Sequence, residues 1–179
     1  YENIKKISNN QEIIDSHPWT IVERKLGTQD QFSDILSVLL VHKNIDSFYL
    51  SHIKNIDHDI TFFKFNDKWS IIDPYYGIYF RDKENLFSTL DQDREKDWII
   101  HHLSKKKVNK ENFKTFFFDE KFQNFEDFQF YYINLVSNLP SNNHINEINI
   151  YERGGRAHLQ KPIHRIIYQL RVISRFFFY

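Results

Sequence analysis

His58-Asp59-Ile60-Thr61-Phe62-Phe63-Lys64-Phe65-Asn66-Asp67-Lys68-Trp69-Ser70-Ile71-Ile72-Asp73-Pro74 is the stretch whose reading decides the fold. A strand places alternate residues on opposite faces. His58, Ile60, Phe62 and Lys64 therefore share one face, and Asp59, Thr61, Phe63 and Phe65 the other. Asn66-Asp67 supplies turn residues and Trp69 to Asp73 returns as a second strand. Pro74 ends that strand, because proline has no N–H for the ladder. The hairpin predicted here brings a histidine at the start of one strand beside an aspartate at the end of the next. An imidazole with a carboxylate to orient it is the base half of a nucleophile–histidine–acid triad.

Upstream lies Gly27-Thr28-Gln29-Asp30-Gln31. Short helical segments are expected to end near Lys25-Leu26-Gly27, where glycine suits a C-terminal cap. From Asp30 onward, Phe32, Ile35, Leu36, Leu39 and Leu40 fall at i, i+3, i+4, i+7 and i+8. That spacing predicts one face of a helix running to about Lys43. Gln29 then stands at or just before its N-terminus, where free backbone N–H groups and the helix dipole favour developing negative charge. Ile45 to Leu50 reads as a strand, Lys54 to Asp57 as a polar loop, and Tyr75 to Phe80 as a further strand after a bend at Gly77. Beyond Arg81 helices are expected: a charged one over Asp93 to Leu103, and one whose face carries Phe122, Phe125, Phe128, Tyr132, Leu135 and Leu139. After a break at Pro140 and a turn at Gly154-Gly155, a basic, aromatic helix is expected from Pro162 to Tyr179.

These motifs together resemble the transglutaminase-like superfamily of papain-like fold. The resemblance covers roughly residues 18–80: a Gly-x-Cys-Asp-type helix start, a strand, a His-led strand and a Trp-x-x-x-Asp-Pro strand. It implies an α+β core, a helix packed on an antiparallel sheet, over residues 1–81, with a mainly helical extension over 82–179 on the same domain. In that family a cysteine at the helix N-terminus attacks an acyl or amide carbonyl, the histidine takes its proton and the aspartate orients the imidazole. Carried over, His58 and Asp73 hold the base and orienter positions and Gln29 holds the nucleophile position. Thr28, Asp30 and Trp69 are expected along the substrate cleft.

The chain departs from the family at the nucleophile, since it contains no cysteine at all. A carboxamide is neither ionisable nor nucleophilic near neutral pH. Thr28 and Ser33 are the neighbouring hydroxyls that would have to replace a thiol. The implied role is non-catalytic: binding a peptide, a glycan-linked substrate or a protein partner in the old cleft. The alternative is a thiol peptidase or acyltransferase whose cysteine is substituted by Gln29.

Composition narrows the rest. The 179 residues suit one domain, and 18 Phe and 10 Tyr with a single Ala (Ala157) imply a core of large side chains. Lys+Arg and Asp+Glu number 24 each, so no global field gathers nucleic acid. A basic tail, with Arg165, Arg171 and Arg175 interleaved with Ile166, Ile167, Tyr168 and Phe176 to Phe178, offers contact with an anionic membrane surface. A packed helix with snorkelling arginines is the structural counterpart of that reading. His52, Asp57, His58 and Asp59, or His101-His102, lack metal-ligand spacing, so no metal and no cofactor is expected. No stretch has the length and apolarity of a membrane span or signal peptide. An opening at Tyr1 rather than Met suits a processed or trimmed start, and the compartment is open.

Overall fold

The computed structural model describes residues 5–6, 21–23, 26–50, 58–84, 86–90, 99–104, 107–116 and 122–148. In chain order its elements are β1 (Lys5–Lys6), β2 (Leu26–Gly27), α1 (Gln29–His42), β3 (Ser47–Leu50), β4 (Ile60–Phe65), β5 (Lys68–Asp73), β6 (Ile78–Arg81), β7 (Ile99–His102), α2 (Phe113–Phe116), α3 (Phe125–Asn138) and α4 (Asn142–Glu147). β3 to β7 form a five-stranded antiparallel sheet in sequence order, so the fold is α+β.

The β4–β5 hairpin is its centre. Phe62 pairs with Ile71, Lys64 with Trp69 and Phe65 with Lys68. The two loop residues, Asn66 and Asp67, have φ of 49° and 61°. A two-residue hairpin loop with both residues left-handed follows the right-handed twist of the strands, and Asn and Asp tolerate that backbone best after glycine.

Strand alternation then sorts the side chains. Ile60, Phe62, Trp69, Ile71, Ile78, Phe80 and Ile100 join Phe128, Tyr132, Leu135 and Leu139, on or just after α3, in one buried cluster. Full burial of each large apolar side chain contributes roughly 1.5–3 kcal/mol. α3 begins where Asn124 Oδ1 accepts the Asp127 N–H at 2.8 Å, with Glu126 and Asp127 in the first turn to complement the helix dipole.

α1 packs on β3 and β4. Its buried face differs from the apolar stripe expected. Ser33 and Ser37 are fully buried, whereas Leu39 is 44% exposed. The two small residues let the helix sit close to the sheet, and their polar atoms are satisfied there. Ser33 Oγ donates to Asp59 O at 3.2 Å, Thr61 Oγ1 donates to Ser33 O at 3.3 Å, and Ser37 Oγ donates to Asp34 O at 2.8 Å.

Two local expectations are corrected. Residues 99–102 are an edge strand, not the end of a helix: Ile100 pairs with Phe80 and His101 with Tyr79. The β-branched Ile99-Ile100 pair suits a pleated, half-buried surface better than a helix. The sheet therefore crosses residue 81 and draws its fifth strand from the C-terminal part. Gly27 is not a helix cap but half of β2, which pairs in parallel with β1. The loop over 54–57 and the basic tail with Arg165, Arg171 and Arg175 lie outside the described residues. Among the described residues no helix is long and apolar enough to cross a membrane.

Gly77 turns β5 into β6 with φ +69°, and a Cβ there would lie 3.0 Å from His102 Nε2. Gly77→Ala is expected to cost about 1–2 kcal/mol from the left-handed backbone alone. A urea midpoint unchanged from the parent chain would show that the bend is not fixed by this residue.

Candidate functional site

Three chain segments meet at one end of the sheet. α1 starts after Thr28, whose backbone is extended (φ −89°, ψ 173°) and whose N–H donates to Gln31 Oε1 at 3.2 Å. Phe32 N–H closes the first turn on Thr28 O at 3.0 Å. This fixes Gln29 as the first helical residue. Gly27 precedes it where a Cβ would approach Ile21 and Phe32 to 3.2 Å, tighter than most side chains meet. In the hairpin, Thr61 pairs with Ile72, so the end of β5 lies beside the start of β4. His58, two residues before β4, falls on the Ile60 face, which is also the Asp73 face.

Asp73 is fully buried and accepts four hydrogen bonds. Oδ1 takes the backbone N–H of Tyr75 at 3.0 Å and of Tyr76 at 3.1 Å. Oδ2 bonds His58 Nε2 at 2.6 Å and takes the Tyr132 hydroxyl at 2.5 Å. Burial alone would push this carboxyl up. The imidazole, the Tyr132 hydroxyl and the Tyr76 N–H outweigh it and hold Asp73 below its ordinary value of 3.8. The Tyr132 hydroxyl is pushed well above 10, first by burial and then by the Asp73 charge, so it stays protonated and donates.

His58 is 1% exposed. Tyr76 stacks on its ring at 5.7 Å with an interplanar angle of 10°, and Tyr131 meets it edge-on at 5.6 Å. Its other nitrogen, Nδ1, is hydrogen-bonded to Gln29 Nε2. Gln29, His58 and Asp73 thus stand in one hydrogen-bonded series, at the helix terminus where a nucleophile would profit from the dipole.

Of the remaining residues singled out from the sequence, two lie beside this series and the others elsewhere. Thr28 and Asp30 flank Gln29, with the Thr28 hydroxyl bonded to the Asp30 carboxylate. Trp69 belongs to the buried core cluster. It is 3% exposed, its indole N–H donates to Asn146 Oδ1 at 2.8 Å, and its backbone N–H donates to Asn142 Oδ1 at 2.7 Å. Trp69 shares the face of Asp73 but stands four residues away, roughly 13 Å along the strand, where that face is core. Ser33 is buried with its hydroxyl donated to Asp59 O. His101 and His102 point to opposite faces of β7, His102 stacking on Phe116 at 4.7 Å. Among the described residues no group of three or more His, Asp or Glu is arranged to hold a metal. His52, Asp57 and the three arginines lie outside them.

Sequence reasoning missed the three tyrosines. Tyr132 was legible only as a core position of α3. Its hydroxyl was the available signal, since a tyrosine in a stripe otherwise of Phe and Leu needs a buried partner.

The arrangement can orient an imidazole and keep it beside the helix terminus. It cannot form a covalent acyl intermediate at residue 29, because a carboxamide offers no nucleophile. No protein-family model, curated protein or solved structure matches the chain.

Proposed function

We propose that this chain is a transglutaminase-like domain without its nucleophile, acting as a non-catalytic binding module for a peptide, a glycan-linked substrate or a protein partner. One observation carries the reading. Gln29, His58 and Asp73 are bonded in the order of a nucleophile, a base and an orienting acid, at a helix N-terminus, in a chain that has no cysteine. The base and its orienter are complete, and only the attacking atom is missing. Ligand contact on this reading falls on Gln29 and its neighbours Thr28 and Asp30, because His58 and Asp73 are covered.

The native chain is expected to show no amidase or transglutaminase turnover on glutamine- or lysine-containing peptides. Iodoacetamide is expected to leave it unmodified under thiol-selective conditions. Turnover above background, lost on replacing Ser33 or Thr28, would overturn the non-catalytic reading and make one of those hydroxyls the nucleophile.

The completeness of the His58–Asp73 pair also favours a second reading: a thiol peptidase or acyltransferase whose cysteine stands replaced by Gln29. A cysteine codon at position 29 of the gene would decide for it.

A further inference from the structure

The Asp73 carboxylate sets the direction of the hydrogen bonds around it. An ionised carboxylate only accepts. His58 Nε2, 2.6 Å from Oδ2, therefore carries a proton. In a neutral imidazole that leaves Nδ1 as the acceptor. The group facing Nδ1 must then donate, and Gln29 meets it with Nε2. The carboxamide is consequently turned with its N–H on the imidazole and its carbonyl oxygen away from it. Among the described residues no hydrogen bond reaches that oxygen, and Gln29 is only half-buried.

The chain of directions has an outer link. Oδ1 of Asp73 is held by the N–H groups of its own turn, so those two bonds leave the carboxylate free to rock about Oδ1. Tyr132, reaching across from α3, donates to Oδ2, the same oxygen that His58 uses. It is fully buried, as is Asp73. With both oxygens held, the carboxylate plane is fixed, and with it the imidazole and the amide.

We propose that Tyr132 is a positioning residue of this site: acting through Asp73 and His58, it fixes the Gln29 carboxamide with its N–H on the imidazole and its carbonyl oxygen presented as an acceptor. A ligand group meeting Gln29 must then bring a donor, a hydroxyl or an N–H. The helical C-terminal part is on this view a working part of the site. The inference rests on the reading of Gln29 as the ligand-facing residue.

Nitrogen-15 NMR of the labelled full chain tests it. The His58 tautomer is read from its two ring nitrogens, and the Gln29 side-chain amide is assigned by its loss in Gln29→Ala. The native chain is expected to carry the imidazole proton on Nε2 and to exchange the Gln29 amide protons roughly tenfold more slowly than an exposed glutamine, as one intact hydrogen bond allows. Tyr132→Phe is expected to mix the tautomers and abolish that protection. Tyr79→Phe, on the face of β6 opposite Asp73, is expected to change neither. A merely structural Tyr132 would lower stability on substitution and leave tautomer and protection as they were. That result in folded Tyr132→Phe overturns the proposal. So does an Nδ1-protonated His58 in the native chain, a measurement that stands even where Tyr132→Phe fails to fold. Neither outcome depends on whether a thiol at position 29 becomes reactive, so the tautomer and the transglutaminase-like reading fail separately.

Discussion

Asp73→Ala is expected to destabilise the fold by about 3–5 kcal/mol, since each buried donor left without its acceptor costs roughly 1–3 kcal/mol and several are left at once. The substitution strands four donors at once: His58 Nε2, the Tyr132 hydroxyl and the N–H groups of Tyr75 and Tyr76. Asp73, His58, Tyr132 and Tyr76 are all buried, so three of the four donors are shielded from the solvent that would replace the carboxylate. Asp73→Asn keeps the volume and an acceptor for the turn, so its cost is expected nearer 1–3 kcal/mol. Urea midpoints for the two variants measure both numbers. An Asp73→Ala chain as stable as the native one would show that the carboxylate is not what joins the hairpin to α3.

The same carboxylate gives acid sensitivity a definite sign. Its folded pKa lies below the ordinary 3.8, so the unfolded chain takes up the proton first as pH falls. The stability Asp73 contributes is complete above about pH 5 and is lost as pH drops past 3.8 through the folded value. Asp73→Asn should remove that part of the acid dependence. A gentler fall at higher pH should survive in the variant. His101 is held below its ordinary 6.5 by burial and by the Arg81 and Lys107 charges, so the unfolded chain gains its proton first between 6.5 and that lowered value.

What the sequence disclosed and what it withheld divide along range. The hairpin was legible because strand alternation, a two-residue Asn-Asp loop and a strand-ending proline are all local, and they alone set His58 beside Asp73. Although Gly27 before it is a strand residue rather than a helix cap, the start of α1 was legible from an i, i+3, i+4 pattern. Its buried face was not, because Ser33 and Ser37 are inside for closeness of approach rather than hydrophobicity, a preference that exists only once the sheet is present. β7 was misjudged because four residues, Ile99 to His102, carry too little periodicity to outweigh a charged neighbourhood. Tyr132 lies 59 residues from Asp73, and no local rule pairs them. Trp69 shares a strand face with Asp73, and its place in the core follows from that face.

Gln29→Cys is expected to create a thiol that iodoacetamide alkylates about tenfold faster at pH 5.5 than a cysteine placed at Phe130, which is 68% exposed on α3. Position 29 opens a 14-residue helix, whose terminus carries roughly half a positive charge, and it faces His58 Nδ1. Both lower a thiol from its usual value of about 8.5. A drop of 2.5 units multiplies the thiolate present at low pH by roughly 300, while the weaker intrinsic nucleophilicity of the more acidic thiol returns a factor of about 10 to 20. The net gain is therefore about one order of magnitude, and it should shrink as pH approaches the ordinary thiol range. His58→Gln in the same background should bring the rate to near that of the Phe130→Cys reference, since the helix dipole alone is worth no more than about 1 kcal/mol at a partly exposed site. A Gln29→Cys thiol that reacts like the reference at every pH would mean that the imidazole does not act on position 29, and the transglutaminase-like reading of the site would fall with it. A fast thiol that turns over no amide would leave that geometry standing and show that restoring the attacking atom is not by itself enough for catalysis.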